Sequence, residues 1–575
     1  MNYHTTSPSP RLSTAPSIPR TAGPAILAYS GIVLLWLVML VISDPWGSYP
    51  LNDDWVYSLA VKSLLESGVY HFPSPSSANV GPQVFWGALF CLPFGFSFEA
   101  LRISTSVLGL IGALVLFRTL ETLTDDWKRS LFGTLALLVN PLYFGLSSTY
   151  MTDVPFVACS IVAIHFFVLG FRRQSSKHLL IAIGVSMLVI LIRQLGICLL
   201  IGFAVAHVVQ EKFSMRSVVK GLVVVGLGAA LHLGYQYWMV HTGRISLAAT
   251  HSDVSKFAPS WHDGVAALGT SAKIVSYLGL FFLPLAALFS FRPRRPELER
   301  YEKKLFVALG IFGLVLTALL FLTGKTIPSL GNVLMPFGLG PLTLRDTYLL
   351  SINLPVIPRV LQLAWQAMTI LSVMAVTVAL YFLATRFARG ANSQKHSAWW
   401  HNPLLSFLLG TAGSYFLVLL YAAGHFPIFD RYLLFFLPLL MVALFSADRA
   451  SLPAMRGARL VTSAFCMLAM AVFSVAATHD YVAWGKTRWQ ATEELVRSDK
   501  IDPRQIDGGY EFNGWYIYDA GYVPTPGKSY WWVVNDAYVI ASGPMAGYDE
   551  IKRHAYDRWL LGETAHVLVL KKAAP

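Results

Sequence analysis

Apolar runs of about 20 residues recur from residue 25 to residue 478, most of them long enough for an α-helix to cross the hydrocarbon of a bilayer. A helix apolar on all sides must be covered on all sides, so no ordinary soluble domain can hold so many. The charge content agrees. Only 13% of the residues are charged, against roughly 25% in soluble proteins, and mean hydropathy is +0.55. The predicted fold class is an all-α polytopic membrane protein.

Spans are expected at 25–43, 101–122, 130–147, 154–171, 178–191, 195–210, 218–240, 272–290, 304–323, 360–385, 403–423, 432–447 and 460–478, about thirteen helices in all. The pair flanking Arg193 is short. Residues 1–23, rich in Ser, Thr and Pro, read as a disordered cytoplasmic N-terminus. No small-residue cleavage pattern follows the first span, so a retained helix is expected. Residues 24–478 form the transmembrane domain, and residues 479–575 a C-terminal α/β domain. In that tail, strands are expected at Tyr530 to Val534, Tyr538 to Ala541 and His566 to Leu570, with a helix at Thr487 to Arg497. In the first loop, 44–99, the apolar piece Val84 to Phe98 reads as interfacial helix anchored by Phe85 and Trp86.

The formal net charge of +13 would suit a nucleic-acid partner if it were concentrated. It is instead spread over short loops, so membrane lipid is an expected partner and nucleic acid is not. With the N-terminus in the cytoplasm, Lys and Arg favour the cytoplasmic loops roughly threefold, counting Arg172-Arg173, Arg292 to Arg295 and Arg386 to Arg389 among them. That orientation predicts a multi-pass protein of the cytoplasmic membrane with its C-terminus outside. It puts Asp53, Asp54 and Asp153 on the outer side. The four cysteines, Cys91, Cys159, Cys198 and Cys466, sit singly in apolar sequence and imply neither disulfides nor a zinc site.

The acids open the chemistry. Pro50 to Ala60 places Asp53 and Asp54 directly after the first span, at the start of a helical pattern that ends near Gly68. At a helix start, where the dipole favours anions, each carboxylate could be a cap. An ionisable group at the membrane boundary could equally face a cavity and handle a proton. Asp53 and Tyr57 are four residues apart and share a helix face, while Asp54 points about 100° away. Asp153, beside Val154-Pro155, repeats the ambiguity at a second helix start.

The order Asp53-Asp54-x-x-Tyr57, Glu66-Ser67-Gly68, Gly81-Pro82-Gln83-Val84-Phe85-Trp86, Glu99-Ala100-Leu101-Arg102 and Tyr150-Met151-Thr152-Asp153-Val154-Pro155 resembles the N-terminal half of the C-type membrane glycosyltransferases. The nearest branch is the protein O-mannosyltransferase and lipid A aminoarabinose transferase type. Asp430-Arg431-Tyr432 before Pro438 is similar to a late Arg-Tyr motif of that group. The resemblance implies a polyprenyl-phosphate-linked sugar as donor, hexosyl or pentosyl transfer, and an acceptor hydroxyl on a protein, lipid or glycan. It implies Asp53 as general base, with Asp54 and Asp153 as further acids. Tyr150 and Tyr432 would line the cavity with Tyr57. Many members of that group carry a Lys where this chain has Gly81, so the resemblance implies that another cation meets the donor phosphate or that the donor is held differently.

A phosphate leaves readily, so cations near it matter more than a strong acid. The outer cations are Arg193, Arg244, Lys256, Lys325, Arg345 and Arg431. Arg193 and Arg431, at helix ends beside apolar runs, are the expected phosphate ligands, against the alternative of snorkelling to the interface. No His spacing makes a metal triad. No cofactor is predicted, and a divalent metal is left open. A lipid-linked glycan polymerase or ligase is the nearer alternative. A solute transporter is the remoter one, since no internal repeat is visible.

Overall fold

The computed structural model describes residues 22–72, 76, 78–245, 261–290, 299–340, 356–391, 402–446, 452 and 455–574. The expectations for residues 1–21, Lys256 and Arg345 lie outside them.

The chain is a multi-pass helical membrane protein with a small C-terminal sheet. Each of the thirteen expected spans falls on helix, but they are not equivalent. Among the described residues, nine helices are long and apolar enough to cross a membrane, or up to ten if a bent pair counts as one span. The other four of the thirteen expected segments are helical but short or broken. Segment 130–147 is divided into Trp127–Leu138 and Pro141–Ser147, bent by 65°. The break is local: Asn140 accepts from the backbone N–H groups of Leu142 and Tyr143, and Pro141 starts the second piece. The short pair is Ser176–Ile192 and Ile197–Gln210, separated by Arg193 in extended conformation and the 3-10 turn Gln194–Gly196. Segment 432–447 begins as the 3-10 turn Asp430–Phe435 and continues as the ten-residue helix Phe436–Phe445.

The last span does not stop at residue 478. One 41-residue helix, Gly457–Arg497, joins it to the helix expected at Thr487 to Arg497. At 1.5 Å per residue it is about 60 Å long, twice the hydrocarbon thickness. Its polar half carries the tail sheet. The strand order is Ile506–Asp507, Tyr538–Ala541, Glu563–Lys572, Tyr548–Arg558, with the first pair parallel and the others antiparallel. Asp480 on the long helix accepts from the backbone N–H groups of Trp559 and Leu560, pinning the hairpin tip. Residues 530–534, expected as a strand, form turns in which Trp532 adopts φ +61°. The strand Tyr548–Arg558 was not expected.

In the first loop, Asp54–Ser67 is helix and ends at Gly68 in the left-handed conformation, as expected. The apolar piece Val84 to Phe98 is helical only in part: the helix runs Gly81–Cys91, and Phe98 already opens the next one. Arg102 determines the path into this loop: its guanidinium donates to the carbonyls of Pro45, Gly47 and Tyr49. That buried clamp, from the Glu-Ala-Leu-Arg motif, curves residues 44–51 toward Asp53.

Candidate active site

Asp53 and Asp54 are adjacent, and their carboxylates are used differently. Asp54 is buried. Its Oδ1 accepts from the backbone N–H of Tyr150 at 2.7 Å and its Oδ2 from that of Leu51 at 3.1 Å. Burial, the largest influence, pushes its carboxyl up to about 7, against the opposing pull of Arg102 and the two backbone bonds. Tyr150, reached through Asp54, exchanges bonds with Gln83: its hydroxyl donates to the Gln83 carbonyl at 2.8 Å, and Gln83 Nε2 donates back to the Tyr150 carbonyl at 3.0 Å. A side chain at position 87 would collide with the Tyr150 ring, which explains Gly87. So Asp54, Gln83 and Tyr150 are a strut joining the two acid-bearing segments. Tyr150, expected to line the cavity, is packed inside this strut with its hydroxyl already bonded.

Asp53 occupies the N-cap position of its helix, yet its side chain makes no capping bond. The capping alternative is therefore not what its carboxylate does. Oδ2 lies 2.9 Å from Arg431 Nη2, and Oδ1 accepts from the Tyr510 hydroxyl at 3.0 Å. Asp153, the first residue of its helix, likewise turns to cations. Its Oδ1 is 2.7 Å from Arg193 Nη1 and its Oδ2 3.8 Å from Arg431 Nη1.

The order Asp53, Arg431, Asp153, Arg193 is thus a chain of alternating charge, drawn from four segments. Side-chain exposures of 20%, 7%, 1% and 11% put it largely out of water, with Asp53 the most open member. Charges so buried persist only when paired. The arginines do not snorkel. Both lie over the Tyr432 ring, Arg193 at 5.1 Å and Arg431 at 5.6 Å, and Arg431 also lies 5.3 Å from the Phe429 ring centroid. Arg431 Nε and Asp153 Oδ2 are buried without a hydrogen bond, which leaves donor and acceptor capacity inside the cluster. Tyr57 is buried close enough that Asp53, Asp153, Arg193 and Arg431 all act on its phenol, which burial above all pushes up. Tyr57, from its spacing to Asp53, and Tyr432, from the resemblance, were both expected at the site, and both lie at the cluster.

Neighbouring groups hold the cluster in place. Asp430 accepts from the N–H groups of Val333, Leu334 and Arg431, fixing the backbone on which Arg431 stands. Asn332 Oδ1 accepts from Asn52 Nδ2 at 3.3 Å. The tail contributes contacts as well. Besides the Tyr510 bond, Glu511 Oε1 accepts from the Asn52 N–H at 2.9 Å, and Glu511 Oε2 pairs with buried Arg488. The residues Tyr510, Glu511 and Arg488 were missed in sequence. Their one visible signal was Gly508-Gly509, the breaker that lets the chain turn back onto the site.

Among the described residues, no three His, Cys, Asp or Glu side chains gather as a metal site. A cavity of about 390 Å³ lies between the tail sheet and the long helix, lined by Phe337, Tyr481, Trp484, Arg558 and His566 among others. None of the four charged cluster residues lines it.

Residues 79–238 match a family model described as dolichyl-phosphate-mannose-protein mannosyltransferase. That stretch holds Gln83, Tyr150, Asp153 and Arg193, while Asp53, Arg431 and Tyr510 lie outside it. No curated protein matches the chain. The crystal structure of ArnT from Cupriavidus metallidurans bound to undecaprenyl phosphate is 14% identical, with 96% of this chain and 99% of that one covered and a TM-score of 0.43. Its apo form gives 0.42 at the same identity and coverage. The cryo-EM structure of arabinosyltransferase EmbB from Mycobacterium smegmatis is 13% identical, covers 82% of this chain and 42% of that one, and gives 0.31. The chain resembles the C-type membrane glycosyltransferases, as its motifs indicated, and the family that matches is one of glycosyltransferases.

Proposed function

We propose that this protein transfers a sugar from a polyprenyl-phosphate donor to an acceptor hydroxyl on the extracytoplasmic face of the cytoplasmic membrane. The observation that carries this reading is the buried Asp53–Arg431–Asp153–Arg193 chain, two bases and two cations at the end of a membrane bundle. In the reaction, Asp53 takes the proton of the acceptor hydroxyl. The acceptor oxygen bonds to the anomeric carbon, and the bond from that carbon to the phosphate oxygen breaks. Polyprenyl phosphate leaves with the electron pair.

A carboxylate held by an arginine is a weak base, so Arg431 has to change partners. Its Nε is free of hydrogen bonds, and Asp153 already shares the guanidinium. An arriving phosphate gives Arg431 a stronger bidentate partner and releases Asp53 Oδ2 for the acceptor. Base activation then follows donor binding. Arg193 supplies the second cation. Its backbone runs beside the position of the missing family Lys: Val80 N–H donates to the Ile192 carbonyl at 3.0 Å, and a Cβ on Gly81 would lie 3.7 Å from the Leu191 carbonyl oxygen. That proximity supports Arg193 as the replacement.

The test is purified protein with radiolabelled polyprenyl-phosphate mannose or aminoarabinose, alone and with acceptor extracts. Transfer, or hydrolysis in the absence of acceptor, is the expected result. Counterflow of the donor across proteoliposomes with no bond broken would instead identify a transporter.

A further inference from the structure

We propose that Tyr510, in the C-terminal region, is a positioning residue for the Asp53 carboxylate, so that the tail completes the active site. The inference rests on the reading of Asp53 as base. Its hydroxyl donates to Asp53 Oδ1 at 3.0 Å, on the opposite oxygen from Arg431. The ring is held firmly. It lies 5.6 Å from Trp55, the residue two after Asp53, and 5.3 Å from Trp531 of the tail. The helix Tyr510–Ile517 approaches Trp55 so closely that a Cβ on Gly514 would sit 2.3 Å from the Trp55 ring. Glu511 adds a second grip on the same loop through the Asn52 N–H. Consecutive tail residues therefore hold consecutive loop residues, which is more than a docked appendage requires.

The chemistry follows from the donor's direction. Once Arg431 turns to the phosphate, Tyr510 is the group that keeps the carboxylate oriented. A hydroxyl donating to a carboxylate favours its ionised form, the one able to accept a proton. The titratable and charged groups facing Asp53 are Arg431, Tyr510, Tyr57 and Tyr481, with Asp54 next along the chain. Of these, Tyr510 bonds the oxygen that Arg431 leaves alone.

Tyr510→Phe keeps the ring and removes the hydroxyl. The expected result is a kcat lower by about tenfold or more, since hydrogen bonds to charged groups are the strong ones. The acid limb of the rate–pH profile should also move up by about one pH unit, with the KM for donor unchanged. Near-normal kcat, or a lower kcat with an unshifted acid limb, would overturn the proposal, the latter marking a purely structural hydroxyl. Asp53→Asn is measured beside it. If that variant keeps its turnover, the base assignment itself fails. If it is inactive while Tyr510→Phe behaves as wild type, only the role of Tyr510 fails.

Discussion

Arg431 Nη2 lies 2.9 Å from Asp53 Oδ2, joining residues 378 positions apart in a setting where neither charge is well solvated. Ion pairs of this kind form where both partners are carried on rigid ends. Asp53 is fixed by the Asp54 strut and Arg431 by the Asp430 bonds to residues 333 and 334. The pair couples the first loop to the late Arg-Tyr motif.

Replacing Arg431 with Ala leaves two carboxylates without their shared cation. The expected loss is about 3–5 kcal/mol of stability, together with a raised donor requirement. Arg431→Lys keeps a charge but cannot serve Asp53 and Asp153 at once, because an ammonium is a point donor without a fork. It should fold better than the Ala variant and still show a raised donor KM. Thermal unfolding in detergent and donor titration check both, and normal donor dependence in the two variants would remove Arg431 from the phosphate site.

Asp54 is predicted to be structural. Asn in its place turns an NH₂ toward one of two backbone donors, at a cost of about 1–3 kcal/mol, while the turnover of the folded fraction is largely kept. The pH sign is definite. Burial raises the Asp54 carboxyl from 3.8 to about 7, so its contribution to stability is present at low pH and lost as pH rises through about 7. Subtracting the Asp54→Asn unfolding midpoints from wild type between pH 4 and 8 should expose that slope. A flat difference would contradict the burial argument.

Much of this was legible beforehand because it lay at the ends of apolar runs. Asp53, Asp153, Arg193 and Arg431 each stand where a hydrophobic pattern begins or breaks, and a charge there is conspicuous. Breaks within the spans were not legible. Asn140-Pro141 divides an apolar run without interrupting its hydropathy, and the start at Asp430 is a 3-10 turn inside another. The sequence of the helix Gly457–Arg497 reads as two pieces because its composition changes from apolar to polar halfway, while its backbone runs on without a break. The strand Tyr548–Arg558 escaped because charged residues occupy its exposed face and few apolar ones its other. Tyr510 had no local signal beyond the neighbouring Gly508-Gly509, since its meaning depends on a partner 457 residues away.

Orientation has a direct probe. If the tail is extracytoplasmic, Val523→Cys, at a position 79% exposed, should react with a membrane-impermeant maleimide in intact cells. Ser529 would be a poor site, because it is buried. Labelling seen only after lysis would reverse the assigned topology.

Whether Asp53 takes the acceptor proton is read out by the transfer rate of Asp53→Asn with labelled polyprenyl-phosphate sugar. Asn matches Asp in size and can still stand at a helix start, but it takes no proton at neutral pH. The expected result is a folded, membrane-inserted protein whose transfer rate falls by about 10²–10⁴. Near-normal turnover would contradict it.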